Sequence, residues 1–393
     1  MNIAFIFYAP IIPHLGGVQR VTDNLAREFQ KMGHNVVFIS TSECNKNFKD
    51  YSAEQVFLTG YKNSKEAYLK QYLDVLNHYK IDVCVCQALL DESLLLLKNT
   101  PKHIKVVSAY HTIPYPFVGK ERRIKRNIHS KSLKVNFLKY LVLAFPWIGR
   151  YRYITKETHF FREFLDVSDK LVFLSERFCK DTMKYLQDSD ANKLTAINNP
   201  NTFSVTDKIE KKKGNLVLVV ARLVEVPKNI REFIDVWSIL CKKNPDWKAL
   251  IIGDGCDRKY LENYAREKNV TNLEFTGYVS NVSDLYAQAR IVCTTSILEG
   301  WGMTLTEGMS YGCIPCAYGS YGSVYDIIDD GINGMITTPF SPGNMAERIQ
   351  EVIDNKDLAE KLSKGAIKKV QDFSADKIAQ KWIDLFNELI NAD

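Results

Sequence analysis

The feature that most constrains this chain is an alternation that runs along it twice. Short runs rich in Val and Ile alternate with stretches whose apolar residues recur every three or four positions. Ile3–Tyr8 reads as a buried strand. Val18, Val21, Leu25, Phe29 and Met32 then fall on one helical face, and Gly33 ends that helix. Val36–Ile39, Val83–Cys86, Val106–Tyr110, Leu171–Leu174 and Leu194–Ile197 continue the series as strands. Asn199-Pro200-Asn201 is a turn signal, and Lys208–Gly214 is charged and ends on a breaker. The rhythm then restarts. Strands are expected at Leu216–Ala221, Ala249–Ile252, Leu273–Thr276 and Ile291–Thr294, with helical periodicity over Ile230–Cys241, Arg258–Lys268 and Val282–Ala289 between them. Strands this apolar suit parallel sheets covered on both faces, and their alternation with helices builds doubly wound α/β domains. The expectation is two Rossmann-like domains facing across a cleft, residues 1–202 and 203–373, with ligand bound outside the carboxyl ends of the strands.

Composition allows this and closes other routes. A chain of 393 residues is long enough for two cores. With 46% hydrophobic and 25% charged residues it is not a disordered chain. No apolar run reaches the roughly 18–20 residues of a membrane-spanning helix. The cysteines number nine, an odd count that does not read as a disulfide framework. Cys313 and Cys316 form a CxxC, but no second Cys or His pair lies nearby, so they read as buried structural cysteines. The N-terminus lacks a basic leader, and Pro10 and Pro13 interrupt its apolar stretch. A reducing cytosol is the expected compartment.

One segment breaks the rhythm. Residues 119–163 carry twelve basic and three acidic side chains, so the chain's net charge of +6 originates here. Inside it, Phe137–Ile148 is apolar and aromatic. Basic flanks around such a stretch suit a membrane interface, and peripheral contact with an anionic inner membrane face is expected through this segment. A surface hairpin with a buried apolar stripe is the plainer alternative. No recognised nucleic-acid module accompanies the charge, so nucleic acid is not an expected partner.

Four elements carry chemistry. The first is Glu299-Gly300-Trp301-Gly302-Met303-Thr304-Leu305-Thr306-Glu307, which follows a strand and leads into a short helix. The free N–H groups at that helix start favour a phosphate, and Gly300 and Gly302 let a ligand approach the backbone. Glu299 and Glu307 flank this anion site, and carboxylates are apt acceptors for sugar hydroxyls. Either glutamate alone is also explained by the helix dipole. The second element is Arg222, just past a strand, with Lys228 six residues on. A guanidinium and an ammonium there suit a diphosphate, or else form a solvated loop pair. The third is Gly16-Gly17, which opens the first helix but is not part of a GxGxxG. The fourth is His111, just past a strand end, as apt for a structural as for a functional role.

Together, these elements resemble the retaining GT-B glycosyltransferases of family GT4. The E-x7-E pair Glu299 and Glu307 is the most specific part. Arg222, Lys228, Gly253-Asp254-Gly255, Gly277-Tyr278-Val279 and Asp330-Gly331-Ile332-Asn333-Gly334 join it. The resemblance implies that Arg222 and Lys228 hold the donor diphosphate and that Glu307 binds the nucleotide ribose. Glu299 would contact the donor sugar near the amides of Gly300, Trp301, Gly302, Met303 and Thr304. Gly16 and Gly17 would let their loop approach the phosphates. His111 would lie by the donor sugar, and Gly253, Tyr278 and Val279 would border the base. Residues 374–393 would form a helix packing back on the N-terminal domain.

The sequence departs from the family at points. Lys228 follows Arg222 by six residues where five is common, Trp301 replaces a usual Phe, and Gly308 a usual Ala. The implied activity is metal-independent, retaining transfer of a hexose or N-acetylhexosamine from a nucleotide sugar, UDP by default, without a further cofactor. The implied acceptor is a glycan or lipid-linked sugar of surface polysaccharide. A non-catalytic glycan-binding subunit and a sugar-nucleotide 2-epimerase are the alternatives. Asp188-Ser189-Asp190 spells the DxD metal motif of another glycosyltransferase fold, but it follows a helical stretch and reads as a solvated loop.

Overall fold

A computed structural model describes residues 1–42, 52–116, 118–120, 146–203 and 213–392. The chain forms two compact units. The first comprises Met1–Pro114, Thr155–Thr202 and Phe373–Asp393, the second Tyr115–Ile154 and Phe203–Asp372.

The first unit holds seven strands: β1 Asn2–Phe7, β2 Asn35–Ser40, β3 Glu54–Phe57, β4 Val83–Cys86, β5 Lys105–Tyr110, β6 Lys170–Phe173 and β7 Leu194–Ala196. All are parallel, in the order β3-β2-β1-β4-β5-β6-β7. Ile3, Phe5, Val83, Cys84, Val85 and Cys86 are wholly buried, as strands covered on both faces require. The helix Gly17–Lys31 turns Val21, Leu25, Ala26 and Phe29 inward, and Gly33, at φ 84°, ends the turn behind it. A helix at Ala375–Asn391 packs on this one, with the rings of Phe386 and Phe29 edge to face at 5.9 Å.

The second unit repeats the plan with six strands: β8 Leu216–Val220, β9 Lys248–Ile252, β10 Leu273–Gly277, β11 Ile291–Thr294, β12 Ile314–Tyr318 and β13 Met335–Thr337. They too are all parallel, in the order β10-β9-β8-β11-β12-β13. Phe233, Ile234, Val236, Trp237 and Leu240 of the helix Ile230–Leu240 bury one face against it. Each such side chain contributes about 1.5–3 kcal/mol by leaving water. Cys313 and Cys316 lie buried beside and within β12, and the Cys313 thiol donates to the carbonyl of Tyr286 at 3.1 Å.

Of the basic segment, expected in the N-terminal domain, residues 119, 120 and 146–163 are described. Of these, 119, 120 and 146–154 group with the second unit, and those from Thr155 onward with the first. Contact, not chain order, makes this division: Lys120 Nζ donates to the carbonyl of Ile297, just past β11, at 3.0 Å. Phe137–Phe145 lies outside the described residues. Beyond it, the helix Pro146–Val167 buries Phe161, Phe164 and Leu165 and exposes Tyr151, Arg152, Lys156 and Arg162. Among the described residues no helix is long and apolar enough to cross a membrane. Asp188–Lys193 is a short 3-10 helix with no buried residue, in which Asp190 accepts from the Gln187 N–H at 3.2 Å.

Candidate functional site

In the second sheet the chain steps outward from β8 to β9 and β10, then returns to pair β11 with the other side of β8. The order reverses between β8 and β11, so the loops leaving their carboxyl ends diverge and open a crevice. Arg222 and Lys228 ride on the loop after β8, Glu299 on the loop after β11. A pocket at this point is lined by Ala221, Lys228, Thr294, Ser296, Glu299 and Thr304.

The two loops are zipped together. Asn229 is fully buried with left-handed backbone (φ 55°), and its amide donates to the Thr295 carbonyl at 3.1 Å. The Thr295 hydroxyl returns a bond to the Asn229 carbonyl at 3.0 Å, and the Ile297 N–H donates to the Pro227 carbonyl at 2.8 Å. This brings Lys228 Nζ to Glu299 Oε2 at 2.5 Å, with the two side chains 25% and 20% exposed. The Ser296 hydroxyl donates to the same oxygen at 3.3 Å. Arg222 is exposed and forms no ion pair among the described residues. Glu225, within the same loop, is buried: one carboxylate oxygen accepts from the Arg231 N–H at 2.9 Å and so caps the helix Ile230–Leu240. Burial pushes its carboxyl above the usual range, against the pull of that N–H.

The loop after Glu299 is held from behind. The Ser323 hydroxyl, wholly buried, donates to the carbonyls of Gly300 at 2.9 Å and Trp301 at 3.1 Å. Gly302 caps the helix Met303–Ser310 with φ 110°, a conformation that favours glycine. The first N–H groups of that helix lack intrahelical partners and suit an anion beside the pocket. Trp301 is buried, so only its backbone is available there. Glu307 sits one turn into the helix, 4% exposed, where the Tyr286 hydroxyl donates to Oε2 at 3.2 Å.

The rim continues over β9 and β10. Leu223 N–H donates to the Asp254 carbonyl at 2.9 Å, and Gly253 N–H to the Gly277 carbonyl at 2.8 Å. A Cβ on Gly253 would meet the Ala221 carbonyl oxygen at 2.0 Å, so glycine is what lets the two loops close up beside Arg222. Tyr278 follows, 67% exposed, with Val279 half-buried.

Gly16, Gly17 and His111 belong to the first unit. Gly16 precedes the helix Gly17–Lys31 in extended backbone, and the buried Gln19 amide ties that helix start to the Pro10 carbonyl at 2.7 Å. His111 lies just beyond β5. Its Nε2 hydrogen-bonds to Gln87 Oε1 just beyond β4, and its Nδ1 is buried without a partner. Burial lowers the imidazole pKa to about 4, so the ring is neutral at physiological pH. The second unit thus carries Arg222, Lys228, Gly253, Glu299, Gly300 and Gly302 on the loops leaving the carboxyl ends of β8, β9 and β11, and Met303, Thr304 and Glu307 on the helix that follows β11.

Comparison with known proteins bears on the family and the fold. Residues 15–200 match the family described as Glycosyltransferase Family 4, and residues 202–369 match Glycosyl transferases group 1. The chain belongs to glycosyltransferase family GT4. It is 25% identical over 96% of its length to an uncharacterized glycosyltransferase of Haemophilus influenzae, 98% of which is covered. Over 46% of its length it is 28% identical to a Campylobacter jejuni alpha-1,4-N-acetyl-D-galactosaminyltransferase named for a glycan on PP-undecaprenol, half of which is covered. Among solved structures, Anabaena HepE in complex with UDP and glucose superposes with a TM-score of 0.74 at 16% identity, covering 99% of this chain and 100% of that one. S. aureus TarM gives 0.75 at 14% identity, with 98% of both chains covered. The fold is GT-B, and the chain is a glycosyltransferase.

Sequence reasoning on this glycosyltransferase missed Asn229, Thr295, Tyr286, Ser323 and Gln87, which hold the named residues in place. Only Asn229 left a local signal, as a polar residue next to Lys228 at a helix start; the others act across long sequence separations.

Proposed function

We propose that this glycosyltransferase moves a hexose or N-acetylhexosamine, with retention, from a UDP-sugar to a glycan or lipid-linked acceptor of a surface polysaccharide. The observation that carries the reading is the switch-point cluster. Lys228, Glu299 and Thr304, at the start of the helix Met303–Ser310, line one pocket; exposed Arg222 follows Ala221 of that pocket in the chain, and Glu307 sits one turn further along the helix. Cationic side chains at that point stabilise the negative charge that grows on the departing phosphate. A fixed donor of this type is worth about 2.7–4 kcal/mol by analogy with oxyanion donors. In this reading they replace a metal, and no cofactor is required. Glu307 takes the ribose hydroxyls, Glu299 a donor-sugar hydroxyl, Tyr278 and Val279 the base, and His111 lies by the donor sugar. The acceptor attacks on the face the leaving group vacates, and the phosphate oxygen takes its proton. The relative that acts on a PP-undecaprenol glycan and the neighbour that binds UDP and glucose support the acceptor and donor classes.

The test is transfer by purified protein with a panel of nucleotide sugars and lipid-linked glycans, with and without EDTA. Anomeric configuration would be read by NMR. Transfer with retention that survives EDTA and is lost in Arg222→Ala and Glu307→Ala is the expected result. A changed sugar without an acceptor would instead indicate an epimerase. Donor binding without turnover would indicate a non-catalytic subunit.

A peripheral place on the inner membrane face goes with a lipid-linked acceptor. The exposed Tyr151, Arg152, Lys156 and Arg162 favour it. Salt-sensitive flotation with anionic but not neutral liposomes is expected; no flotation with either would remove this part.

A further inference from the structure

Arg222 and Lys228 look alike in the sequence as two cations for one diphosphate. The fold makes them unequal. Lys228 is tied to Glu299 at 2.5 Å, while Arg222 has no such partner among the described residues. The pair is three-quarters or more buried at its side chains, so solvent and salt screen it less than a surface pair. Both bonds to Glu299 fall on one oxygen, Oε2, from Lys228 and from the Ser296 hydroxyl. The Tyr321 hydroxyl, buried nearby, feels the same negative charge.

We infer that Glu299 is the counter-ion of Lys228 and thereby weakens the grip on the nucleoside diphosphate product, so that product leaves after transfer. This rests on the donor-site reading above and adds a role to it. A diphosphate approaching Lys228 must either share that ammonium with a carboxylate or displace it, and it meets the carboxylate's own repulsion on the way. An intact nucleotide sugar offsets part of this, because a sugar hydroxyl donates a hydrogen bond to Glu299 and draws on its charge. Once the sugar has gone, Lys228 shares Glu299 only with the neutral Ser296 hydroxyl. The ion pair reforms fully, and only Arg222 and the helix start still hold the diphosphate. Donor is thereby favoured over product at a site that must bind the same phosphates in both.

The experiment is calorimetric titration of the full chain with UDP, GDP and the matching UDP-sugar. It compares wild type with Glu299→Gln, Glu299→Asp, Lys228→Met and the double variant Glu299→Gln/Lys228→Met. Thermal melts check that each is folded. Glu299→Gln, which keeps shape and removes charge, should bind the nucleoside diphosphate about fivefold tighter or more. Its preference for nucleotide sugar over diphosphate should fall, and inhibition by product should deepen. Glu299→Asp, which keeps the charge but shortens the reach to Lys228, should gain less diphosphate affinity than Glu299→Gln. The gain should vanish in the Lys228→Met background. Equal or weaker diphosphate binding by Glu299→Gln, or a gain that persists without Lys228, would overturn the counter-ion role while leaving the donor site standing. A wild-type chain that binds neither UDP nor GDP would overturn the donor-site reading itself, and this role with it.

Discussion

Replacing Tyr286 by Phe tests whether Glu307 is held for a purpose. The Tyr286 ring is wholly buried, stacked on Tyr311 at 6.0 Å and edge-on to Phe203 at 6.3 Å. Phe keeps that packing and deletes only the hydroxyl that donates to Glu307 Oε2 at 3.2 Å. Hydrogen bonds to charged groups contribute about 1.5–3 kcal/mol. At 3.2 Å this one is longer than the usual O–H···O separation of about 2.7–2.8 Å, which points to the lower end. About 1.5 kcal/mol corresponds to a fall of roughly 3–6 °C in the melting temperature of a domain this size. If Glu307 takes the ribose, its freed carboxylate also loses register, and UDP should bind several-fold more weakly. Urea unfolding and UDP titration of Tyr286→Phe, Glu307→Gln and the double variant measure both effects. The Tyr286→Phe effect should shrink when Glu307 is already Gln, because the two act through one bond. Unchanged stability and unchanged UDP affinity in Tyr286→Phe would refute the reasoning. Lost stability with unchanged affinity would leave the bond but remove Glu307 from the nucleotide.

Three further outcomes follow from the same geometry. Gly253→Ala places a Cβ at 2.0 Å from the Ala221 carbonyl at a backbone φ of 128°, so the loops before Arg222 must separate. A loss of about 1–3 kcal/mol with weaker UDP binding is expected, and wild-type values in both would contradict the packing described. Glu225→Gln keeps an acceptor for the Arg231 N–H and removes a buried charge. Because burial raises the folded carboxyl above its unfolded value, this group's contribution to stability is present below about pH 4.5 and lost as pH rises through the folded value. The variant should therefore be more stable at pH 7, by on the order of 1 kcal/mol, and equal to wild type in acid; urea unfolding at pH 7 and pH 4.5 decides. His111 runs the other way. Its folded pKa of about 4 lies below its unfolded 6.5, so the unfolded chain takes the proton first, and stability should fall between pH 6.5 and pH 4. The loss is on the order of 3 kcal/mol at the acid end and should be blunted in His111→Gln; an identical pH profile in that variant would exclude His111 as its source.

Much of the fold was legible because its signals are local. Strands buried on both faces leave apolar runs, and the expected runs at Val83–Cys86 and Ile291–Thr294 coincide with β4 and β11. What escaped was what lacks such a run. β3, Glu54–Phe57, is a half-exposed edge strand with two polar residues in four. The helix Asp91–Lys98 hides its period in four consecutive leucines. The three-residue β13 offers too little sequence for any period to show. The contact from Lys120 to Ile297 spans 177 positions, a separation over which no local pattern reaches.

The candidate site divides along the same line, and the division has a chemical consequence. Glu299, Glu307, Arg222 and Lys228 are legible because each follows a strand or opens a helix, and strand ends are where doubly wound sheets present ligand groups. Their charges could be counted, but not which charge neutralises which. Glu299 lies 71 positions from Lys228 and beside it in space. It is brought there by Asn229 and Thr295, residues with no charge to count. With Lys228 paired to Glu299, Arg222 is the cation of this site that forms no ion pair among the described residues. Removing Arg222 should therefore cost more nucleoside diphosphate affinity than removing Lys228, an inequality that charge counting in the sequence does not contain. Titrating UDP into Arg222→Met and Lys228→Met measures it directly, and equal losses would mean that Glu299 does not hold Lys228 once the phosphates are bound.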